Sequence, residues 1–191
     1  MPNASSLAIW NRLAALPGGK WAFSKLVCLK APYFSSIRPR FVELRPERCE
    51  VRMRKRRAVL NHLGSVHAIA MCNMAELAAG TMTEVTIPAT HRWIPKGMSV
   101  RYLKKATTHL IAIATPAAVP DWSIATDYPV TVLVQDSRGE AVFEAVITMR
   151  VSPRQASPDG ARSGRAAGDE IGRDTNSANG GLGVKKPRNK G

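Results

Sequence analysis

The stretch His67–Met82, HAIAMCNMAELAAGTM, decides the fold of this chain. It is almost wholly apolar and rich in Ala, Met and Leu, and its length and composition predict a helix rather than a strand. A helix that is apolar nearly all round is expected to be enclosed by the rest of the protein. Asn73 and Glu76 interrupt the apolar run, and with Gly80 they follow a 3–4 spacing that predicts a shared face.

Strand-like segments lie on both sides of this helix. Before it, Val51 and Met53 alternate with arginines, which is typical of a strand with one wet face. Two strands are predicted there, Phe41–Leu44 and Cys49–Leu60, with a turn at Pro46. After the helix come four strand-like runs, at residues 92–103, 108–115, 129–135 and 141–152. This order predicts an α+β domain in which an antiparallel sheet wraps around a long central helix.

The two ends of the chain differ from this central part. Residues 5–30 are predicted to form two short amphipathic helices, separated by Pro17-Gly18-Gly19. Their apolar faces are expected to consist of Leu7, Trp10, Leu13 and Leu16 in the first helix and Trp21, Leu26 and Leu29 in the second. Residues 153–191 are dense in Gly, Ser, Arg, Asn and Asp, a composition that predicts a disordered basic tail. We therefore expect a helical extension at 1–30, a domain at 31–152 and a tail at 153–191.

The net charge of +14 is compatible with nucleic acid, an anionic membrane surface or a phosphate-bearing ligand as partner. The basic run Arg52–Arg57 is one candidate nucleic-acid patch, but such a strand is more often a solvated face. The chain shows no nucleic-acid-binding motif, and aromatic residues make up only 6% of it. Nucleic acid is therefore not expected as a partner.

Cysteines and histidines do not indicate a metal site. The three cysteines have no metal-ligand spacing and form no such pattern with the four histidines, so we expect neither metal nor cofactor. The apolar N-terminal stretch Leu7–Leu16 is interrupted by polar residues, and no window of about 18 apolar residues predicts a membrane span. A cytoplasmic protein is expected.

The spacing of three residues resembles a known family. The segment Asn61-His62-Leu63-Gly64-Ser65-Val66-His67 leads into the helix, and Glu76 follows nine residues after His67. Hotdog-fold acyl-CoA thioesterases similar to the phenylacetate-pathway enzyme have the same Asn, His and carboxylate spacing. The resemblance covers residues 31–152 and looks closest to an uncharacterised hotdog-like branch that carries a segment like 92–98. Ala68-Ile69 stand where the family usually has Gly-Gly, and Glu76 stands where Asp is common.

This resemblance implies hydrolysis of an acyl-CoA to a free acid and CoA in a homodimer or homotetramer. Glu76 would act as nucleophile or as general base on water. The N–H group of Ala68, at the helix N-terminus, would stabilise the oxyanion. Asn61 would position the water or the thioester across a subunit boundary. His67 belongs to the motif, although a structural role near the helix start suits it better than that of a base.

Further candidates concern substrate binding. Arg101, Lys104 and Lys105 suit the phosphates of coenzyme A. Gly64 lies within the motif, and Asn73 is either an acyl-pocket residue or a buried polar group with a backbone partner. Other interpretations stay open, since Glu76 could pair with an arginine at an interface and Asn61 could be a turn residue. The chain would then be a non-catalytic hotdog module that binds acyl-CoA or serves as a structural subunit.

Overall fold

The structure, a computed structural model, describes residues 4–154. All but the first two residues of the predicted tail therefore lie outside the described residues. None of the helices in the described part is long and apolar enough to cross a membrane. The elements in chain order are α1 (Ala4–Ala14), α2 (Gly19–Lys30), a 3-10 turn (Pro32–Ile37), β1 (Arg40–Arg45), β2 (Arg48–Met53), a second 3-10 turn (Arg57–Val59), α3 (Ala68–Thr86), β3 (His91–Tyr102), β4 (Leu110–Pro116), β5 (Thr126–Gln135) and β6 (Ala141–Pro153).

The six strands form one antiparallel sheet in the order β1-β2-β4-β5-β6-β3, and α3 packs on it. This arrangement confirms the predicted α+β fold with a long central helix. β2 ends at Met53, where it pairs with Leu110 at the start of β4, and not at Leu60 as predicted. Four consecutive basic residues follow Met53, so the apolar alternation stops there. A longer strand would have no apolar side chains to bury on its inner face. Val59, in the second 3-10 turn, is buried instead.

The central helix α3 has 19 residues and runs four residues beyond the predicted end. Its last turns are polar, but their hydroxyls bond within the helix: Thr83 Oγ1 donates to the Ala79 carbonyl at 2.8 Å. Such a bond satisfies the hydroxyl within the helix, so a buried Thr costs little there. The helix is buried along most of its length but is not enclosed on every side, since Ile69 and Glu76 are exposed.

Three aromatic rings attach the N-terminal helices to the sheet. Phe23 makes T-shaped contacts with Trp10 and Phe41, with centroid distances of 5.1 and 5.2 Å. This packing turns the Phe23 side of α2 inward. Trp21, Leu26 and Leu29 were predicted as the apolar face of α2, and as a buried face that prediction is wrong because they are 55%, 48% and 77% exposed. Two helices are present as expected, with a different face buried on the second.

The strand β3 forms one edge of the sheet. It pairs with β6 from His91 to Tyr102, with a bulge between Pro95 and Gly97. Only His91 among its twelve residues is buried. The outer backbone edge of β3 has no partner strand in the described chain. A long edge strand with unpaired backbone groups is a template for pairing with another chain.

Candidate active site

Asn61 builds the turn that leads into α3. Its Oδ1 accepts hydrogen bonds from Leu63 N at 3.0 Å, Ser65 N at 3.2 Å and Ser65 Oγ at 3.1 Å. Gly64 has φ +73°, a left-handed conformation that glycine adopts without strain. The geometry therefore gives Asn61 and Gly64 a backbone role in this turn, and a direct contact of either with substrate stays a prediction.

The start of α3 presents a backbone donor. His67 is the N-cap residue, with φ −64° and ψ 139°, and its Nδ1 accepts from Ile69 N at 3.1 Å. Its side chain thus satisfies one of the N–H groups that have no intrahelical partner. Ala68 is the first helical residue, and its own N–H has no intrahelical acceptor. The helix start can therefore offer the Ala68 N–H to a carbonyl oxygen.

A cavity of about 190 Å³ lies beside this helix start. His67 and Asn73 line it together with Tyr33 and Ser36 from the first 3-10 turn. Asn73 is only 6% exposed and donates from Nδ2 to Ser36 Oγ at 3.0 Å. Its Oδ1 is buried without a hydrogen-bond partner among the described residues. Asn73 is thus a buried polar group as predicted, but its partner is a side chain, and one acceptor remains for a ligand or water.

Glu76 lies farther along α3, on the side that faces β3. It lines a cavity of about 540 Å³ and also one of about 200 Å³, and Pro95 of β3 contributes to both. The side chain is exposed rather than enclosed in a dry pocket, because this side of α3 is not covered within one chain. Glu76 therefore lies at the junction of two cavities next to the free edge of the sheet.

Trp93 of β3 packs against α3 at the larger cavity. Its Nε1 donates to Glu84 Oε2 at 2.6 Å. A Cβ at Gly80 would lie 2.7 Å from Cη2 of Trp93, so the absence of a side chain there allows the ring to approach the helix. Glu76 and Gly80, two of the three residues predicted to share a face, line this cavity together. The third, Asn73, lines the smaller cavity at the helix start instead.

Ala68 and Glu76 do not meet within one chain. Eight residues of α-helix separate them, which corresponds to about 12 Å along the helix axis. The hydrogen-bond donor and the group that drives the attack must both reach the same thioester carbonyl. Ala68 and Glu76 of one chain are too far apart to do so. The structure brings Asn61, His67 and Ala68 together at the helix start and leaves Glu76 apart.

The candidate phosphate-binding residues lie at the end of β3. Arg101 Nη2 is 2.6 Å from Glu144 Oε2, and Lys104 Nζ is 3.4 Å from Glu140 Oε2. Lys105 is exposed and has no ion-pair partner among the described residues. To bind a phosphate of CoA, Arg101 and Lys104 would have to break their ion pairs with Glu144 and Glu140.

Sequence reasoning missed the residues that α2 contributes to the larger cavity. Phe23, Leu26, Val27 and Lys30 line it, and Phe34 follows from the first 3-10 turn. These α2 residues follow a 3–4 spacing, which could have indicated a common face. This spacing was hard to recognise in the sequence, because Trp21 and Leu29 of the same helix are also large and apolar.

Residues 19–151 match the family described as "Domain of unknown function (DUF4442)". The chain belongs to this family. It is also 49% identical to a crystal structure described as "genomics APC5556", over 78% of this chain and 98% of that chain, with a TM-score of 0.69. None of the curated proteins matches it in sequence.

The fold of this DUF4442 chain also occurs in proteins named as thioesterases. A thioesterase family protein from Silicibacter pomeroyi is 18% identical, over 70% of this chain and 99% of that chain, with a TM-score of 0.60. A probable thioesterase from Pseudomonas aeruginosa, PA5026, is 22% identical, over 73% and 97%, with a TM-score of 0.61. At these identities the likeness shows the fold, and it confirms the hotdog fold that the family resemblance around Asn61, His67 and Glu76 implied.

Proposed function

We propose that this chain is an acyl-CoA thioesterase that hydrolyses an acyl-CoA to the free acid and CoA. The observation that supports it most is the position of Glu76. This carboxylate lies on the central helix between two cavities, and apolar side chains dominate the lining of the larger one. An apolar cavity with a few polar groups is the usual form of a small-molecule site.

The chemistry needs a donor for the oxyanion and a group that drives the attack. When water or a carboxylate adds to a thioester carbonyl, negative charge develops on the oxygen, and a fixed N–H group stabilises it. Ala68 provides that donor at the start of α3. Glu76 either takes the proton from the attacking water or attacks directly, after which CoA leaves as its thiol.

Two chains are needed to complete this site, because Ala68 and Glu76 lie about 12 Å apart on one helix. The free edge of β3 offers the contact, since a second copy can pair with its unpaired backbone groups. Glu76 lies beside this edge, with Pro95 in both of its cavities. In the proposed homodimer, Glu76 of one chain faces Ala68 of the partner subunit and the turn that Asn61 builds there.

The phosphates of CoA are assigned to the basic residues beyond the end of β3. Lys105 is exposed and has no ion-pair partner among the described residues, so it can bind a phosphate without losing a carboxylate. Arg101 and Lys104 are also exposed, and surface ion pairs such as theirs cost little to exchange. The positive charge of the chain favours the approach of an anionic substrate.

The test replaces Glu76 by Gln and measures thiol release from a panel of acyl-CoA esters. Glu76→Gln keeps the shape of the side chain but removes the charge, so kcat should fall by roughly a hundredfold or more. KM should change little, because the carboxylate acts mainly in the transition state.

Glu47→Gln is the matched control, since it makes the same change at an exposed glutamate outside both cavities. Its rates should equal those of the parent, and both variants should unfold at the parental temperature. If Glu76→Gln hydrolysed every active ester at the parental rate, Glu76 would not be catalytic. The non-catalytic binding module would then be the better account.

A further inference from the structure

The two N-terminal helices form one wall of the larger cavity beside Glu76. Its lining comes from α1, α2, the first 3-10 turn, α3 and β3, so it lies where the helical extension meets the central helix. We call it the α2 cavity and define it by its apolar lining residues Ile9, Phe23, Leu26, Val27, Phe34 and Trp93. The sheet and α3 alone would leave this side of Glu76 open.

The charges that line the α2 cavity disfavour a ligand whose far end is negatively charged. Its charged lining residues are Glu76 and Glu84 on α3 and Lys30 on α2, so carboxylates outnumber cations. Glu84 accepts a hydrogen bond from Trp93 Nε1 and so stays close to the apolar wall, whereas the Lys30 side chain is exposed, where water screens its charge. A carboxylate on the ligand would meet two like charges against one screened cation, which is unfavourable. The cavity therefore suits an uncharged apolar chain.

We propose that the α2 cavity binds the acyl chain of the substrate, and that this chain is an apolar acyl group several methylenes long, without a terminal charge. The proposal rests on the proposed function, because Glu76 at the cavity lining must be next to the thioester. The volume of about 540 Å³ lies within the range of small-molecule pockets and is large for an acetyl group. The helical extension is then part of the substrate site and not only a support for the sheet.

This assignment predicts a dependence on chain length. Each methylene that moves from water into an apolar cavity should raise kcat/KM about fourfold until the cavity is full. A terminal carboxylate on the acyl chain should abolish this gain. Substrates for the measurement are the straight-chain acyl-CoA esters from butanoyl to hexadecanoyl, and the half-acid esters of matching length.

The variant Leu26→Trp tests the cavity itself, because Leu26 lies on its wall and is 48% exposed, so a larger ring fits without disturbing the core. The ratio of kcat/KM for dodecanoyl-CoA to that for butanoyl-CoA should fall about fifteenfold, equivalent to the loss of roughly two methylenes of contact. Leu29→Trp is the matched control on the same helix. Leu29 is 77% exposed and does not line the cavity, so its ratio should equal the parental one.

A binding measurement separates this inference from the proposed function. S-dodecyl-CoA and S-butyl-CoA are thioethers that no thioesterase can hydrolyse, and calorimetry gives their Kd values. The parent should bind the dodecyl compound more tightly, and Leu26→Trp should lose that preference while Leu29→Trp keeps it. If no ester is hydrolysed but this pattern holds, catalysis fails and the cavity assignment stands. Equal Kd values for both thioethers, or equal losses in both variants, would overturn the assignment.

Discussion

At the scale of single residues, the motif divides into groups that build the backbone and groups that remain free to act. The side chains of Asn61 and His67 are occupied by nearby N–H groups, at 3.0–3.2 Å. Ala68 presents its backbone N–H, and Glu76 presents a carboxylate beside two cavities. Asn61 and His67 therefore fix the start of α3, and this fixed helix start positions the N–H group of Ala68.

Asn61→Ala tests the role of the turn. The change leaves the N–H groups of Leu63 and Ser65 without their acceptor, and water can replace it only in part, so we expect the free energy of unfolding to fall by about 0.5–1.5 kcal/mol. Asn61→Asp keeps an acceptor oxygen and should lose less. Denaturant unfolding measures both values, and thiol release from an acyl-CoA gives turnover. A loss of turnover with unchanged stability would mean that Asn61 acts on substrate rather than on the turn.

At the scale of elements, composition and period predicted most of the fold. The apolar run after His67 predicted α3, and alternation predicted the strands, because burial of one face forces a period of two. The end of β2 was within reach of the same reasoning, because the basic run after Met53 breaks the alternation. The buried face of α2 was not, since it depends on the contact of Phe23 with Trp10 and Phe41. That is a tertiary contact, which no local pattern contains.

The edge strand β3 gives the element-scale prediction. If two copies pair along it, the molecular mass in solution should be that of a dimer or of a tetramer built from dimers. The outward amides between residues 93 and 100 should then be protected from hydrogen exchange, although they have no partner within one chain. Sedimentation and exchange at matched concentrations measure both. A monomer that keeps full activity, with these amides unprotected, would contradict the pairing.

At the scale of the whole molecule, the proposed site is larger than one chain. The spacing itself grouped Asn61, His67 and Glu76, and the resemblance implied that Asn61 of one chain acts with Glu76 of another. The helix rise separates Ala68 from Glu76 by about 12 Å, so in the proposed mechanism a second subunit supplies one of the two groups. The α2 cavity was beyond the sequence, because its wall combines side chains from the N-terminal helices, α3 and β3.

The variant Ala68→Pro allows the two-chain site to be tested. Proline is favoured at the first helical position, and the extended conformation of His67 is the one that a residue before proline adopts. The change therefore removes the oxyanion donor and preserves the helix, and kcat should fall by roughly 10²–10³. Ala68→Ser keeps the N–H and should retain the parental rate.

The most direct measurement is the activity of a mixture of Ala68→Pro and Glu76→Gln chains. Each variant alone should be nearly inactive. After subunits exchange in equal amounts, half of the dimers contain one chain of each kind, and each such dimer has one intact site. The mixture should regain about a quarter of the parental rate, the share expected for random pairing in a twofold dimer. Native mass spectrometry confirms that mixed dimers form. No recovery in a sample that contains them would contradict a site shared between Glu76 and Ala68 of the partner subunit.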